Sequence, residues 1–359
     1  MANIPPPPRS NVPVRVNLFS DTQTKPSAVM RAAMVDAEVG DEQLGLDPTV
    51  NRLTERMAAL LGKEAAMFLP SGTMCNEIAI LTHCRPGDEI LAHATAHILS
   101  AEGGAPAALA GVQITAVPGE KGQFTAAALQ SAIRAVSRNS PPQRLVAVEQ
   151  TSNLGGGCVW PLATLGEVAD LAHSHGLATH MDGARLLNAT VASGNSAAET
   201  AAGWDSVWLD FTKGLGAPLG AVLAGSAEFI DAAWRWKQRL GGSMRQAGIC
   251  AAACLYALDH NIDRLAEDHA NALRLAGHLA GAPGLAVTRP ETNLVYIGTG
   301  AVPATDIAAR LREDGVMVSV MGANLLRACT HLDVDAAGID LAAAAMRRAA
   351  GAGQQRKTA

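Results

Sequence analysis

The feature that most limits what this chain can become is a rhythm. Between about residue 65 and residue 225, short apolar and β-branched runs alternate with stretches of helical spacing. The runs are Ala65–Leu69, EILAHA, VQITAVPG, RLVAVEQ, GLATHMDGA, DSVWLDFTK and GAVLAGS. Strands separated by helices form a parallel or mostly parallel sheet, covered on both faces. A helix is expected from Pro48, with Val50, Leu53, Met57, Leu60 and Leu61 at helical spacing. Another is expected over PLATLGEVADLAHSHG, ending at a glycine cap. After about Arg245 one long helical stretch runs from AGICAAACLYALDH to LAGHLAG. Strand-like LAVTRPETNLVYIG, VMVSV and LLRACT follow, then a last helix from about Ala336. At 359 residues the chain is too long for one small core. The expected fold class is α/β, with a large sheet domain sandwiched by helices over 12–250. A smaller α+β domain spans 251–349, and tails lie at 1–11 (Pro-rich) and 350–359.

Composition removes several function classes. Lys plus Arg number 28 against 33 Asp plus Glu, a net charge of −5, which leaves no basic footprint for nucleic acid. No apolar run approaches the roughly 20 residues of a membrane helix. The start, MANIPPPPRSN, lacks the apolar segment of a signal peptide. The six cysteines are scattered. Cys250 and Cys254 lie one helical turn apart, but no second close pair completes a zinc site, so no metal is expected. Reduced thiols in a cytoplasmic protein are the expectation.

Open sheets of this kind bind ligands at the carboxyl ends of their strands, and four features fall at such ends. Pro70-Ser71-Gly72-Thr73-Met74-Cys75-Asn76 follows an apolar run and opens a helix. Gly72 permits a tight turn, and the amides of Gly72 and Thr73 can cradle an anion; ordinary helix capping explains the same residues. His93-Ala94-Thr95-Ala96-His97 follows the next run, and a histidine there is often structural. Asp182, in HMDGAR, ends an apolar strand, where a carboxylate needs a cation or donor; a loop-holding pair with Arg185 is the simpler account. Lys213 follows DSVWLDFT and precedes a glycine-rich turn. Desolvation there makes a lysine a nucleophile for aldehydes, unless it is merely an exposed strand-end residue. In this order the four suit pyridoxal 5′-phosphate, which needs a phosphate cradle, a ring cover, an acidic partner for the ring nitrogen and a Schiff-base lysine.

With those residues in view, the chain resembles the low-specificity L-threonine aldolases, of the β-eliminating-lyase group within fold-type I pyridoxal-phosphate enzymes. The resemblance spans about Asn17 to Arg347. It rests on NLFSDTQTKPSAVMRAAM, VGDEQLGLDPTVNRL, FLPSGTMCN, AHI, SNLGGGCVWPL, HGLATHMDGARLLNA, TKGLGAPLGAVLAG, GGSMRQAG and THLDV. It implies that Lys213 binds the coenzyme aldehyde, that Asp182 partners the ring nitrogen and that His97 covers the ring. Gly72 and Thr73 hold the phosphate, and Arg185 lies near the phenolic oxygen and the substrate carboxylate. Ser20 and Arg327 clamp that carboxylate, and Arg245 reaches the phosphate of a neighbouring subunit. A homotetramer, a dimer of dimers with shared active sites, is implied. So is an amino-acid substrate: a β-hydroxy-α-amino acid such as threonine or allo-threonine, cleaved to glycine and an aldehyde.

The departures from that pattern cluster around the substrate side chain. Ser152 stands where the family's E-x-T-H-N stretch carries a histidine that contacts the β-hydroxyl, and serine is no base near neutral pH. Leu44 and Ala101 replace aromatic residues, and Gln238 replaces a cation seven places before Arg245. Drift and a roomier pocket for a bulkier side chain both account for this. β-Elimination or racemisation on the same coenzyme is the alternative activity. A non-catalytic carrier is the alternative class, opposed by the intact Lys213, Asp182, Arg185 and Arg327.

Overall fold

The computed structural model describes residues 5–355. They form two compact units, Pro26–Ile262 and the described parts of 1–25 with 263–359. The strands, in chain order, are β1 (Val16–Leu18), β2 (Ala65–Leu69), β3 (Glu89–His93), β4 (Gln113–Val117), β5 (Gln143–Glu149) and β6 (Ala178–Gly183). β7 (Ser206–Asp210), β8 (Ala221–Gly225), β9 (Ala286–Val287), β10 (Leu294–Gly298), β11 (Val316–Gly322) and β12 (Leu325–Cys329) follow.

The larger unit holds a seven-stranded sheet in the order β2-β8-β7-β6-β5-β3-β4. Strand β8 runs antiparallel to both β7 and β2, and the remaining pairs are parallel. Two reversals restore direction, so β2, β7, β6, β5, β3 and β4 all end on one edge. Strands β3, β7 and β8 are buried at every residue, which is why their sequences show no polar alternation. One helical layer packs Cys75, Ile78 and Ala79 with Phe229, Ile230 and Ala233 against Met67, Leu69, Trp208 and Leu223. The helix Pro48–Leu61 begins at Asp47, whose Oδ1 accepts from the amides of Thr49 and Val50, and ends at left-handed Gly62.

The smaller unit holds a five-stranded sheet, β1-β11-β12-β10-β9. Its core joins Val16 and Leu18 to Leu275, Leu279, Val295, Ile307, Leu311, Ile339 and Met346.

Four expectations change. The long helical stretch is two helices, Gly248–His260 and Leu265–Leu279. The break comes at Asn261, whose Nδ2 donates to the Leu215 carbonyl at 2.7 Å. Residue 250 therefore lies inside a helix of the larger unit, and the division falls at Ile262/Asp263 rather than at 250/251. The N-terminal residues belong to the smaller unit, because β1 pairs in parallel with β11. The last helix, Ala336–Gln355, continues beyond 350; residues 1–4 and 356–359 of the expected tails lie outside the described residues. Among the described residues no helix is long and apolar enough to cross a membrane.

Candidate active site

The common strand edge of the larger unit collects seven of the ten expected residues. Gly72 and Thr73 open the helix that follows β2, and His97 opens the short helix His97–Ser100 after β3. Ser152 follows β5, Asp182 lies at the end of β6, with Arg185 just beyond it, and Lys213 follows β7. Strands β5, β6 and β7 are neighbours in register, Glu149 beside Asp182 and Asp182 beside Trp208. The turns beyond them are cross-braced. The Gln150 amide donates to the Asp182 carbonyl at 2.7 Å, and the Arg185 amide donates to the Gln150 carbonyl at 3.1 Å.

The helix Gly72–His83 supplies an N-terminus with Ser71 as its cap, Oγ accepting from the Met74 amide. Gly72 is not in a left-handed conformation. The residue is glycine for another reason: a Cβ there would run into the Trp208 ring. Lys213 ion-pairs with Asp210, and its Nζ lies 5.7 Å from the Trp208 ring centroid. Asp210 Oδ1 accepts from both the amide and the hydroxyl of Thr212, which fixes the turn that presents the lysine.

Asp182 is buried and held on both oxygens. Oδ1 accepts from the Ala184 amide at 3.0 Å and Oδ2 from Asn76 Nδ2 at 2.9 Å. Asn76 is the hub. Nδ2 also donates to Glu102 Oε1 at 2.7 Å, while Oδ1 accepts from Trp208 Nε1 at 2.6 Å and contacts His180 Nε2 at 3.1 Å. An amide oxygen only accepts, so His180 donates from Nε2 and its Nδ1 accepts from Ser206 Oγ. Ser206 Oγ in turn accepts from His83 Nε2. Burial lowers both imidazoles, His83 to about 4 and His180 to about 3, so both are neutral as this chain of donors requires.

His97 Nδ1 donates to Glu102 Oε1 at 2.7 Å. A ring nitrogen of His97 and one carboxylate oxygen each of Glu102 and Asp182 lie within 4.8 Å of one another. Burial works against charge on His97, but the Glu102 hydrogen bond and the carboxylates of Asp182, Glu102 and Glu149 outweigh it and raise its pKa. Glu149 accepts from the Asn153 amide at 3.0 Å. Burial first, then the neighbouring Asp182, push it up to about 7.

The remaining expected residues are placed as follows. The Ser152 hydroxyl is buried without a hydrogen-bond partner, packed where a Cβ on Gly122 or Gly155 would strike it. Arg245 is exposed and pairs with Asp41 at 2.9 Å. Leu44 is exposed. Of the two cations that flank Gln238, Arg239 is exposed, while Lys237 is completely buried, pairs with Glu42 and lies 4.2 Å from the Trp234 ring centroid. Glu42 Oε2 also accepts from the Met244 amide, so this pair ties down the segment that carries Arg245. Ser20 and Arg327 belong to the smaller unit. Arg327 Nη2 donates to the carbonyl of Phe19, the residue before Ser20, and Ser20 Oγ lies 2.7 Å from Thr22 Oγ1. Sequence reasoning missed Asn76, Glu102, Glu149 and the Glu42–Lys237 pair. Asn76 alone carried a signal, as the amide that closes the Ser71-Gly72-Thr73-Met74-Cys75-Asn76 run singled out in the sequence.

The donor set suits pyridoxal 5′-phosphate. An amine on β7's exit, a buried carboxylate on β6, an imidazole beside it and a capped helix N-terminus share one sheet edge, and this coenzyme needs each.

Comparison with known proteins agrees. The family model described as beta-eliminating lyase matches residues 17–300. The low-specificity L-threonine aldolase of Escherichia coli K12 is 38% identical over 320 residues, 89% of this chain and 94% of that protein. Low-specificity L-threonine aldolase 1 of Arabidopsis thaliana is 38% identical over 326 residues, 88% and 91% of the two chains. The threonine aldolase structure from Leishmania major superposes with a TM-score of 0.80 at 21% identity, covering 93% and 99%, which shows a shared fold. On its family-model match and its curated relatives, this chain belongs to the beta-eliminating lyase family.

Proposed function

We propose that this chain is a pyridoxal-phosphate-dependent lyase that cleaves a β-hydroxy-α-amino acid, threonine or allo-threonine among them, to glycine and an aldehyde. The observation that carries the reading is the placement of Asp182 and Lys213 at the exits of adjacent parallel strands, with His97 and Glu102 beside Asp182. Lys213, Asp182, His97, Arg185 and the first turn of the Gly72 helix, including Thr73, are the residues that would hold the coenzyme. When bound, the coenzyme supplies an electron-withdrawing ring in conjugation with the substrate Cα.

The protein's own part is binding and proton handling. Asn76 keeps the Asp182 carboxylate aimed and dehydrated. Glu102 fixes Nδ1 of His97 and leaves Nε2 as the nitrogen available to a ligand. The reaction must take a proton from the β-hydroxyl, and the candidates near Asp182 are Glu149, pushed up to about 7, and His97, whose carboxylate neighbours raise its pKa. We assign the substrate carboxylate to Arg185, a guanidinium being suited to bidentate contact, and we assign Ser152 to the wall of the side-chain pocket.

We extend the proposal to a homotetramer in the cytoplasm. Arg245 is exposed, and apolar Val29, Val35, Leu44, Leu46 and Ile249 are exposed on neighbouring elements of the same unit. All six cysteines are free.

A panel of β-hydroxy amino acids tests the reading. Aldehyde and glycine in equal amounts are the expected products, and Lys213→Ala abolishes both turnover and retention of the coenzyme through dialysis. Keto acid and ammonia instead would assign β-elimination. Full turnover by Lys213→Ala would refute the reading.

A further inference from the structure

The helix that follows β2 carries a buried carboxyl group that the proposed reaction does not use. Glu77 follows Asn76 on the helix Gly72–His83, is only 2% exposed, and has no hydrogen-bond partner on either oxygen. Glu102 Oε2 is likewise buried without a partner, although Oε1 accepts from both Asn76 and His97. Three orphaned oxygens on two neighbouring buried carboxyls are most costly when both groups are ionised. One proton removes the repulsion and turns an orphaned acceptor into a donor.

We propose that Glu77 is protonated at neutral pH and donates to Oε2 of Glu102, making it a positioning residue for His97. The shared proton leaves Glu102 a fixed anionic acceptor for His97 Nδ1 without a second negative charge beside it. The electrostatics agree. Burial, and then Glu102, push Glu77 up to about 8. The charged groups bearing on His97 are Asp182, Glu102 and Glu149, and Arg185 bears on Glu149 in turn. When the proton leaves in mild alkali, a second negative charge appears beside Glu102. It strengthens the imidazolium's hold on its own proton, so the pair buffers the charge of His97 against rising pH.

The test needs neither coenzyme nor substrate, so its outcome is separate from that of the aldolase reading. Infrared spectra of the full chain in D2O should show a protonated-carboxyl C=O band at pH 7. The component of that band that fades with a midpoint near 8 should persist in Glu149→Gln and be absent from Glu77→Gln, where only the part that fades near 7 remains. Imidazole ¹⁵N spectra then report His97 directly. Glu77→Gln should leave its pKa within about 0.3 units at neutral pH, because a neutral donor replaces a neutral donor. Glu102→Gln should lower it by about one unit or more, because an anionic partner is lost. A fall of about a unit in Glu77→Gln would mean that Glu77 is ionised and would overturn the proposal. So would a wild-type spectrum with no protonated-carboxyl band that titrates near 8, a result that stands even if the variant fails to fold.

Discussion

Asn76→Asp keeps the shape of the hub and changes one property. The NH2 that donates to Asp182 at 2.9 Å and to Glu102 at 2.7 Å becomes a second oxygen, while the bonds accepted from Trp208 and His180 survive. Two unit charges at such a separation repel by about 6 kcal/mol at an effective dielectric constant of about 20. The new carboxyl, or one of its two neighbours, therefore takes up a proton. A protonated carboxyl offers one hydrogen where the amide offered two, so one acceptor oxygen loses its donor, at a cost of about 1.5–3 kcal/mol. The sign of the pH dependence follows from the raised folded-state pKa. The unfolded aspartate titrates near about 3.9, so between about pH 4 and the folded value the folded state binds the extra proton and the unfolded state does not. Stability relative to wild type then falls by about 1.4 kcal/mol per pH unit and levels off above the folded pKa. Urea unfolding followed by tryptophan fluorescence at pH 5, 6, 7 and 8 measures this. The expected gap is about 3 kcal/mol at pH 5 and widens with pH. A gap below about 1 kcal/mol, or one constant from pH 5 to 8, would show that the amide does not bridge two carboxylates.

Three further outcomes are expected. Gly72→Ala places a methyl against a Trp208 ring that Asn76 holds in place; it should cost about 1–3 kcal/mol in thermal unfolding and weaken coenzyme binding in a fluorescence titration. Lys237→Met leaves Glu42 buried without its cation; a loss of about 3–5 kcal/mol is expected, with earlier proteolytic cleavage near Arg245. Glu149→Gln removes a carboxyl whose folded pKa, about 7, stands above its unfolded value, so wild type loses stability as pH rises from about 4.5 to 7 and the variant does not. The variant should gain up to about 3 kcal/mol on wild type between pH 5 and pH 8, measured by denaturant midpoints; a flat difference would contradict the burial of that carboxyl.

The strands of the larger sheet were legible because each is a continuous apolar run bounded by turns, and Asp182 and Lys213 stood out as charges at the ends of such runs. What distinguishes the site beyond them is long-range. Glu102 is five residues from His97, but its other partner, Asn76, lies across a helix and a strand from it. Glu42 and Lys237 are far apart in the chain, so nothing local announces their pairing. The residue Gly72 was legible, but its reason was not, since the Trp208 ring reaches it through the fold. Strand β1, three residues long, is too short to show a period. The break at Asn261 depends on a carbonyl at Leu215. The serine at position 152 was compatible with drift or with a roomier pocket. The structure packs the Ser152 hydroxyl against Gly122 and Gly155, so in its present rotamer a larger side chain has no room there.

The reversed strand β8 also sets a schedule for synthesis. Strand β2 is at the margin of its sheet, and β8 is its one neighbour there. Its partner leaves the ribosome about 150 residues later, on the order of ten to thirty seconds at ordinary translation rates. Through that interval Met67, Phe68 and Leu69 have no ladder to join, and the coenzyme's phosphate has no seated helix end to meet. The nascent chain is most exposed to misassociation in this window, and a holding chaperone that recognises apolar strands would find its target there.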